Sequence, residues 1–272
     1  MKKINFTKIL EILSALVFII LFGFPFIWMF FSSVKSSSEI VAVPPTLFPQ
    51  QWQFENFIVA WRSGPFFKYT INSLIVALSI VALQLITVIP AAYAYARYDF
   101  FGKKFFWYLS LSTMMIPGTL TFLPIYLLFS SFGLINTLWS LILPFTSSIF
   151  GIFLLRQSIM RIPNEIIEAA QLDKAGEAKI IRRIVFPMIK PSILTISMLT
   201  FIGRWNDYFW PLMMTTKDDV RTLPIGVTAL GMSDALPDWN LVMAANIILV
   251  FPILVIYVLA QKQIFQAFVP AN

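Results

Sequence analysis

The sequence predicts an all-α membrane protein that crosses the bilayer six times, on three observations. Its residues are 58% apolar and only 12% charged, against roughly 45–50% and 25% in soluble domains. Mean hydropathy is +0.81, more than a soluble core absorbs, so lipid is the expected solvent. Six apolar runs are each long enough for a tilted helix, at about 20 residues per crossing, and the segments between them hold nearly all the Lys and Arg.

The first run, residues 10–32, follows Lys2, Lys3 and Lys8 and is interrupted only by Glu11 at its cytoplasmic edge. It is rich in Phe and Ile and has no small-x-small cleavage site before Lys35, so it reads as a retained anchor helix, not a signal peptide. The segment 33–70 follows as the largest outer feature, opening with Ser36, Ser37, Ser38, Pro44 and Pro45. Its Trp52, Phe54, Phe57, Trp61, Phe66 and Phe67 read as interfacial anchors, with a docking surface as the alternative.

The remaining runs lie at 71–95, 105–130, 134–156, 191–214 and 241–261. Pro90, Pro117, Pro124, Pro144 and Pro252 fall inside them. Membrane helices tolerate proline because neighbouring groups re-satisfy the freed carbonyls, so each is expected as a kink in a continuous span. Residues 1–272 read as a single transmembrane domain, without internal repeats.

Orientation follows from charge, because positive loops stay in the cytoplasm. An even number of spans puts both termini on one side. With the N-terminus inside, the inner segments hold fourteen of the twenty Lys and Arg, seven of them between Arg156 and Lys190. The outer segments hold Lys35, Arg62, Lys68, Lys217 and Arg221, and Arg204 alone lies within a span. The net charge of +7 is thereby accounted for by membrane orientation, and no nucleic-acid partner is expected.

The chain has no cysteine and no histidine. Disulfides, thiol nucleophiles, thiolate or imidazole metal ligands and the commonest general base are all excluded. That shifts the expectation from enzyme to carrier, channel or scaffold, with no metal and no cofactor of its own. A carboxylate-only or Ser/Lys site stays open in principle, but no pair of inward-facing carboxylates at helical spacing supports one.

The long inner segment 157–190 is too polar to span and reads as two short helices. The first starts near Pro163, a favoured early position, and runs through Glu165 and Glu168 to Leu172, with its acids where the helix dipole prefers them. Gly176 is the expected break. The second, 178–186, sets Ile180 with Ile184 and Ile181 with Val185 at i and i+4, opposite Lys179, Arg182 and Arg183, and is expected to stop at Pro187. Periodicity alone leaves two readings open. The hairpin is either a knob, its small Ala169 and Ala170 beside a carboxylate admitting another protein, or an interfacial helix pair packed on its own bundle.

The string Glu168, Ala169, Ala170, Asp173, Ala175, Ile184, Pro187 and Pro191 resembles the EAA loop of ABC importer membrane subunits. The likeness extends along nearly the whole chain to the maltose-type, carbohydrate-uptake branch: Phe54-Glu55-Asn56-Phe57, Asn72-Ser73-Leu74, Ala91-Ala92-Tyr93-Ala94-Tyr95-Ala96-Arg97 with Gly102, Trp205-Asn206-Asp207, Arg221-Thr222-Leu223-Pro224 and Met243-Ala244-Ala245. It departs from the family pattern at Lys174, six residues after Glu168, where the family has Gly; Gly176 comes two positions late, so the turn is expected to be either shifted or differently tightened.

This resemblance implies the type I ABC importer permease fold in a bacterial cytoplasmic membrane, with both termini in the cytoplasm. It implies a heterodimer with a second permease subunit of six or more spans, two copies of an ABC ATPase that bind ATP and Mg, and an extracytoplasmic solute-binding protein. Glu168 would pair with a basic group in the ATPase cleft. Ala169, Ala170, Ala175, Asp173 and Gly176 would shape the docking turn, and Pro187 and Pro191 would fix the approach to the fifth span. The solute would be a sugar or a related polyol or glycerol phosphate. The chain has no Gly-rich phosphate loop with Lys and Ser/Thr, so ATP hydrolysis is expected elsewhere; an ATPase-independent secondary transporter is the rival reading.

Within the bilayer the conspicuous polar group is Arg204, Asn206 and Asp207, beside Trp205, about 20–24 Å beyond Pro191 at 1.5 Å per residue. Two roles stand open. Arg204 and Asp207, three apart on one helix, neutralise each other at a subunit interface, or the group lines a translocation path.

Overall fold

A computed structural model describes residues 6–231 and 238–268. Lys2 and Lys3 lie outside the described residues, as does the side chain of Lys262. All regular structure among the described residues is helical. In chain order the helices are α1 (Phe6–Ser33), α2 (Ser37–Ile40), α3 (Glu55–Arg62), α4 (Phe66–Arg97), α5 (Lys103–Thr113), α6 (Phe122–Ser131), α7 (Leu138–Ile142), α8 (Ile149–Met160), α9 (Asn164–Leu172), α10 (Glu177–Ile180), α11 (Phe186–Met188), α12 (Lys190–Trp205), α13 (Phe209–Met214), α14 (Leu223–Leu230) and α15 (Trp239–Phe268).

The chain divides into two compact units, of which the first comprises Met1–Phe67 and Ile225–Pro252. Helix α1 carries the apolar stretch Leu10–Ser33, and none of its most apolar window is buried by the rest of the chain. Its end is held by Asn56, which is buried and donates to the carbonyls of Ser33 (2.9 Å) and Lys35 (2.8 Å). Lys35 is only 2% exposed: its ammonium donates to the Thr46 carbonyl and lies 5.0 Å from the centre of the Trp28 ring. The segment that follows α1 is therefore folded onto the helix end by a few strong donors. Of the expected interfacial aromatics, Trp52, Phe54 and Phe67 are exposed, whereas Phe66 is buried beside Trp61, their rings 6.2 Å apart. Phe66 is a core residue, because the turn at Gly64 folds its ring back onto α3.

The second unit comprises Lys68–Pro224 and Ile253–Asn272. Its long helix α4 runs unbroken through Pro90, as α15 runs through Pro252. Three helical stretches among the described residues are long and apolar enough to cross a membrane unaided: Leu10–Ser33, Phe66–Arg97 and Trp239–Val258. The other three expected spans are each interrupted. Residues 105–130 form α5 and α6 with a non-helical link at 114–121. Residues 134–156 form α7, a 3₁₀ turn at Leu143–Phe145 and α8, bent by 42°. Residues 191–214 form α12 and α13, separated at 206–208.

The prolines expected to kink these runs coincide at two places with a break instead. Pro117 lacks an N–H and precedes Gly118, whose backbone freedom costs entropy in a helix. Pro144 stands in the 3₁₀ turn, and the carbonyls freed there are capped from α4. Gln84 donates to Phe145 O at 2.9 Å and accepts from the Thr200 hydroxyl at 2.8 Å, and Thr87 donates to Thr146 O at 2.7 Å. At the third break Asp207 accepts from the Trp210 amide at 3.2 Å, and the Trp210 indole donates to Ser140 O at 3.0 Å. Pro124 sits in the first turn of α6, where no intrahelical N–H is missed.

Two strings from the sequence meet at the start of α4. The Asn72 amide donates to the carbonyls of Asp219 and Arg221, both at 2.9 Å, and the Ser73 hydroxyl accepts from the Leu223 amide at 2.8 Å. An exposed ion pair, Lys68 with Asp219, adds to this strap, and the Lys68 ammonium holds the Asp219 carboxyl below its usual value. Asn136, in the left-handed region at φ 61°, accepts from the amides of Thr216 and Lys217.

Gln84→Leu leaves the Phe145 carbonyl and the Thr200 hydroxyl without partners. A loss of about 1–2 kcal/mol is expected, read as a lower midpoint for detergent-induced unfolding of the purified protein, with Ile86→Leu on the exposed side of α4 unchanged.

Candidate functional site

The segment 157–190 is built as a hairpin of two helices, and its turn explains the residue types found there. Pro163, extended at φ −55° and ψ 139°, leads into α9, which carries Glu165 in its first turn. At the other end the Lys174 amide donates to Gln171 O (2.9 Å) and the Ala175 amide to Ala170 O (3.0 Å). Those two bonds are the Schellman closure, which needs a left-handed residue between Asp173 and Ala175 and an apolar contact between the third-last helical residue and the residue after the turn. Lys174 supplies the first at φ 56°, and Ala170 with Ala175, both packed against the same apolar cluster, supply the second.

Of the two expected alternatives, the turn is not shifted to Gly176. Lys174 itself adopts the conformation for which glycine is suited, while Gly176 is extended (φ −68°, ψ 154°) and starts α10. A side chain at Gly176 would meet nothing within 4 Å. Nor does the second helix stop at Pro187. Helical structure continues from α10 through a π turn at Ile181–Val185 into α11, passes Pro187, and ends at Ile189, where α12 departs at 82°. The wide π turn loosens the i→i−4 ladder just where the proline ring would clash with it. Pro191 lies in the first turn of α12.

The hairpin has one buried face and one exposed face. Ile167, Ile180, Val185 and Ile189 are at most 5% exposed and pack with Ala92 and Ile159. Turned outward are Glu168, Ala169, Leu172 (84% exposed) and Asp173, with Lys179, Arg182 and Arg183 on the second helix. Two tethers missed in the sequence fix the hairpin to α4. The Tyr93 hydroxyl donates to Glu177 at 2.9 Å; the Arg97 guanidinium donates to Ile159 O at 2.7 Å, to Ile162 O at 2.5 Å and to the Asn164 side chain. In the sequence Arg97 reads as an orientation charge and as the last residue of the string Ala91 to Arg97, and neither states its bonds to the end of α8. A cleft of about 180 Å³ runs beside Glu168, lined by Tyr93, Arg97, Tyr98, Asn164 and Gln171.

The second cluster surrounds Arg204. Its guanidinium meets Asp207 at 2.8 Å and lies 3.9 Å from the centre of the Phe145 ring. The two are paired across a break, not along one helix: α12 ends at Trp205, and Asp207 stands in the link before α13. Trp205 is fully buried and stacked on Phe201 at 5.6 Å. Asn206 is exposed at the helix end. Arg204 and Asp207 border a cavity of about 350 Å³, with Gly118, Thr119, Thr121, Pro144, Phe145, Phe209 and Trp210.

Residues 2–269 match the family described as "Binding-protein-dependent transport system inner membrane component". The chain is 32% identical to the diacetylchitobiose uptake system permease protein NgcG of Streptomyces coelicolor, over 88% of this chain and 80% of that one. It is 31% identical to the sn-glycerol-3-phosphate transport system permease protein UgpE of Brucella abortus, over 90% and 89%. The fold is that of a chain in a bacterial ABC transporter involved in import of the acidic polysaccharide alginate, with a TM-score of 0.84 at 22% identity over 96% of this chain and 98% of the other.

A left-handed conformation costs an L-residue about 1–2 kcal/mol, most for β-branched side chains. Lys174→Gly should therefore leave the hairpin at least as stable, whereas Lys174→Val should lower it by more than about 1 kcal/mol. Amide hydrogen exchange of Ala175 and its neighbours, ranked Gly, Lys, Val from slowest to fastest, checks this.

Proposed function

Because the chain belongs to the family of binding-protein-dependent transport system inner membrane components, we propose that its hairpin is the part that turns ATPase motion into opening and closing of a solute path. The chain is a permease component of an ABC importer of the sugar and glycerol-phosphate kind. The observation that carries the coupling role is the division of the hairpin: one face locked to the bundle by Ile180, Val185, Tyr93 and Arg97, the other exposing Glu168, Ala169 and Asp173. A rigidly held hairpin passes displacement on to α4 without absorbing it. Ala169 admits close backbone approach, and Glu168 supplies a carboxylate for a basic group in the ATPase cleft.

In this reading residues 1–272 act as one permease domain with six crossings and both termini in the cytoplasm. The continuous crossings are α1, α4 and α15; the interrupted ones are α5 with α6, α7 with α8, and α12 with α13. The interruptions support this pairing, since each broken pair occupies one apolar run. ATP and Mg bind to two copies of a separate ATPase, a second permease subunit completes the path, and an extracytoplasmic binding protein delivers a sugar, polyol or glycerol phosphate.

Affinity purification of the chain co-expressed with its partners should recover an ATPase and a second multi-spanning subunit. Glu168→Lys should lose the ATPase while the two membrane subunits stay together. Solute uptake by wild type in vesicles lacking any ATPase would overturn the reading in favour of a secondary transporter.

A further inference from the structure

The three interrupted spans do not break at unrelated places. Gly118, Thr119 and Thr121 come from the link at 114–121, Pro144 and Phe145 from the bend after α7, and Asp207 from the link after α12, and all of them line the one cavity of about 350 Å³ beside Arg204. Kinks that served only local packing would be scattered along the bundle. Non-helical backbone at membrane depth is tolerated where it is buried in protein or lines a water-filled cavity, and discontinuous helices are how transporters build solute sites. We propose that this cavity is a transit site on this subunit for an uncharged, hydroxylated ring, that is, one saccharide unit of the solute. The proposal deepens the importer reading and rests on it.

The chemistry of the lining selects that class. Arg204 is paired with Asp207 at 2.8 Å, and the other Asp207 oxygen accepts from the Trp210 amide. The charge is thus closed within the pair: an anion entering the cavity competes with Asp207 for the guanidinium, and a cation competes with Arg204 for the carboxylate. A neutral solute disturbs neither. For it the cavity offers the remaining guanidinium N–H groups, which make no other hydrogen bond among the described residues, the exposed Thr119 hydroxyl, and the accepting lone pairs of Thr121, whose proton goes to Gly118 O at 2.9 Å. Beside these polar groups stands the ring of Phe209, 44% exposed and held edge-on by Phe122 at 5.3 Å. Polar donors on one side and an aromatic face on the other match a pyranose, which has hydroxyls at its rim and C–H groups on its faces. The volume is at the lower end of the roughly 300–1,000 Å³ typical of ligand pockets, which suits one ring or two.

The chain contains no cysteine, so Gly118→Cys places one thiol in this subunit at an exposed position of the cavity lining where an added side chain meets nothing within 4 Å. The complex with its partner permease, ATPase and binding protein is reconstituted in proteoliposomes. ATP-driven uptake is measured for maltose, cellobiose, diacetylchitobiose and sn-glycerol 3-phosphate. Maleimide labelling of this subunit is then read with and without the transported probe. The expected result is labelling that a transported neutral saccharide slows several-fold, and a KM for that saccharide raised roughly tenfold by Phe209→Ala. Uptake of a saccharide with the introduced thiol unlabelled, or labelled equally with and without it, overturns the assignment while leaving the importer reading intact. Uptake and protection confined to glycerol 3-phosphate overturn the saccharide class. Failure of the assembled complex to take up any probe with ATP counts against the importer reading, and the assignment falls with it.

Discussion

A backbone carbonyl in hydrocarbon has no water to turn to, and leaving one unpaired costs several kcal/mol. That constraint decides which breaks in the membrane-embedded runs are permitted. The chain between α7 and α8 bends because α4 brings Gln84 and Thr87 to the carbonyls of Phe145 and Thr146. Helix α13 restarts after α12 because Asp207 accepts from its first turn, and Trp210 then ties it to Ser140 on α7. Glutamine and threonine within an apolar run are thus the parts that let the neighbouring run stop being a helix.

At the end of α9 the same accounting is solved by the main chain itself. The last carbonyls of α9 are taken up by the Schellman closure, with Lys174 in the left-handed region. The closure is accompanied by the apolar contact of Ala170 and Ala175, which turn inward, while Glu168 and Ala169 stay on the outward side of α9. One local geometry therefore accounts for most of the residue pattern between Glu168 and Gly176, with the stability of the turn and the exposure of its carboxylate arising together. Arg97 completes the arrangement by donating to the carbonyls at the end of α8, which α9 follows after a tight turn.

The polar strings near the start of α4 have a similar logic. Asn72 and Ser73 bond to main-chain groups of the segment 219–223, and Asn136 takes the amides of Thr216 and Lys217. A loop held through its backbone at several points keeps its conformation whatever its side chains are, which leaves those side chains available for other contacts. The exposed ion pairs there, Lys68 with Asp219 and Arg221 with Asp218, add little to stability by themselves.

Composition and run length were enough to establish a helical membrane protein, because the transfer of apolar side chains into lipid depends on the residues and hardly on their arrangement. The amphipathic pattern of 178–186 likewise foretold which side of the hairpin is buried, since 3.6-residue periodicity is local, and the spacing of Glu168, Ala169, Ala170 and Asp173 carried the family resemblance. Continuity of the spans was not legible. Whether a proline kinks a helix or ends it depends on partners from other helices: Pro90 and Pro252 are passed over, whereas Pro117 and Pro144 mark breaks. The convergence of those breaks on one cavity, the pairing of Arg204 with Asp207 across a helix end, and the left-handed Lys174 are decided by contacts between residues far apart in the chain or by a closure that must satisfy carbonyls. Residue types alone state neither, so only the tertiary structure could decide them.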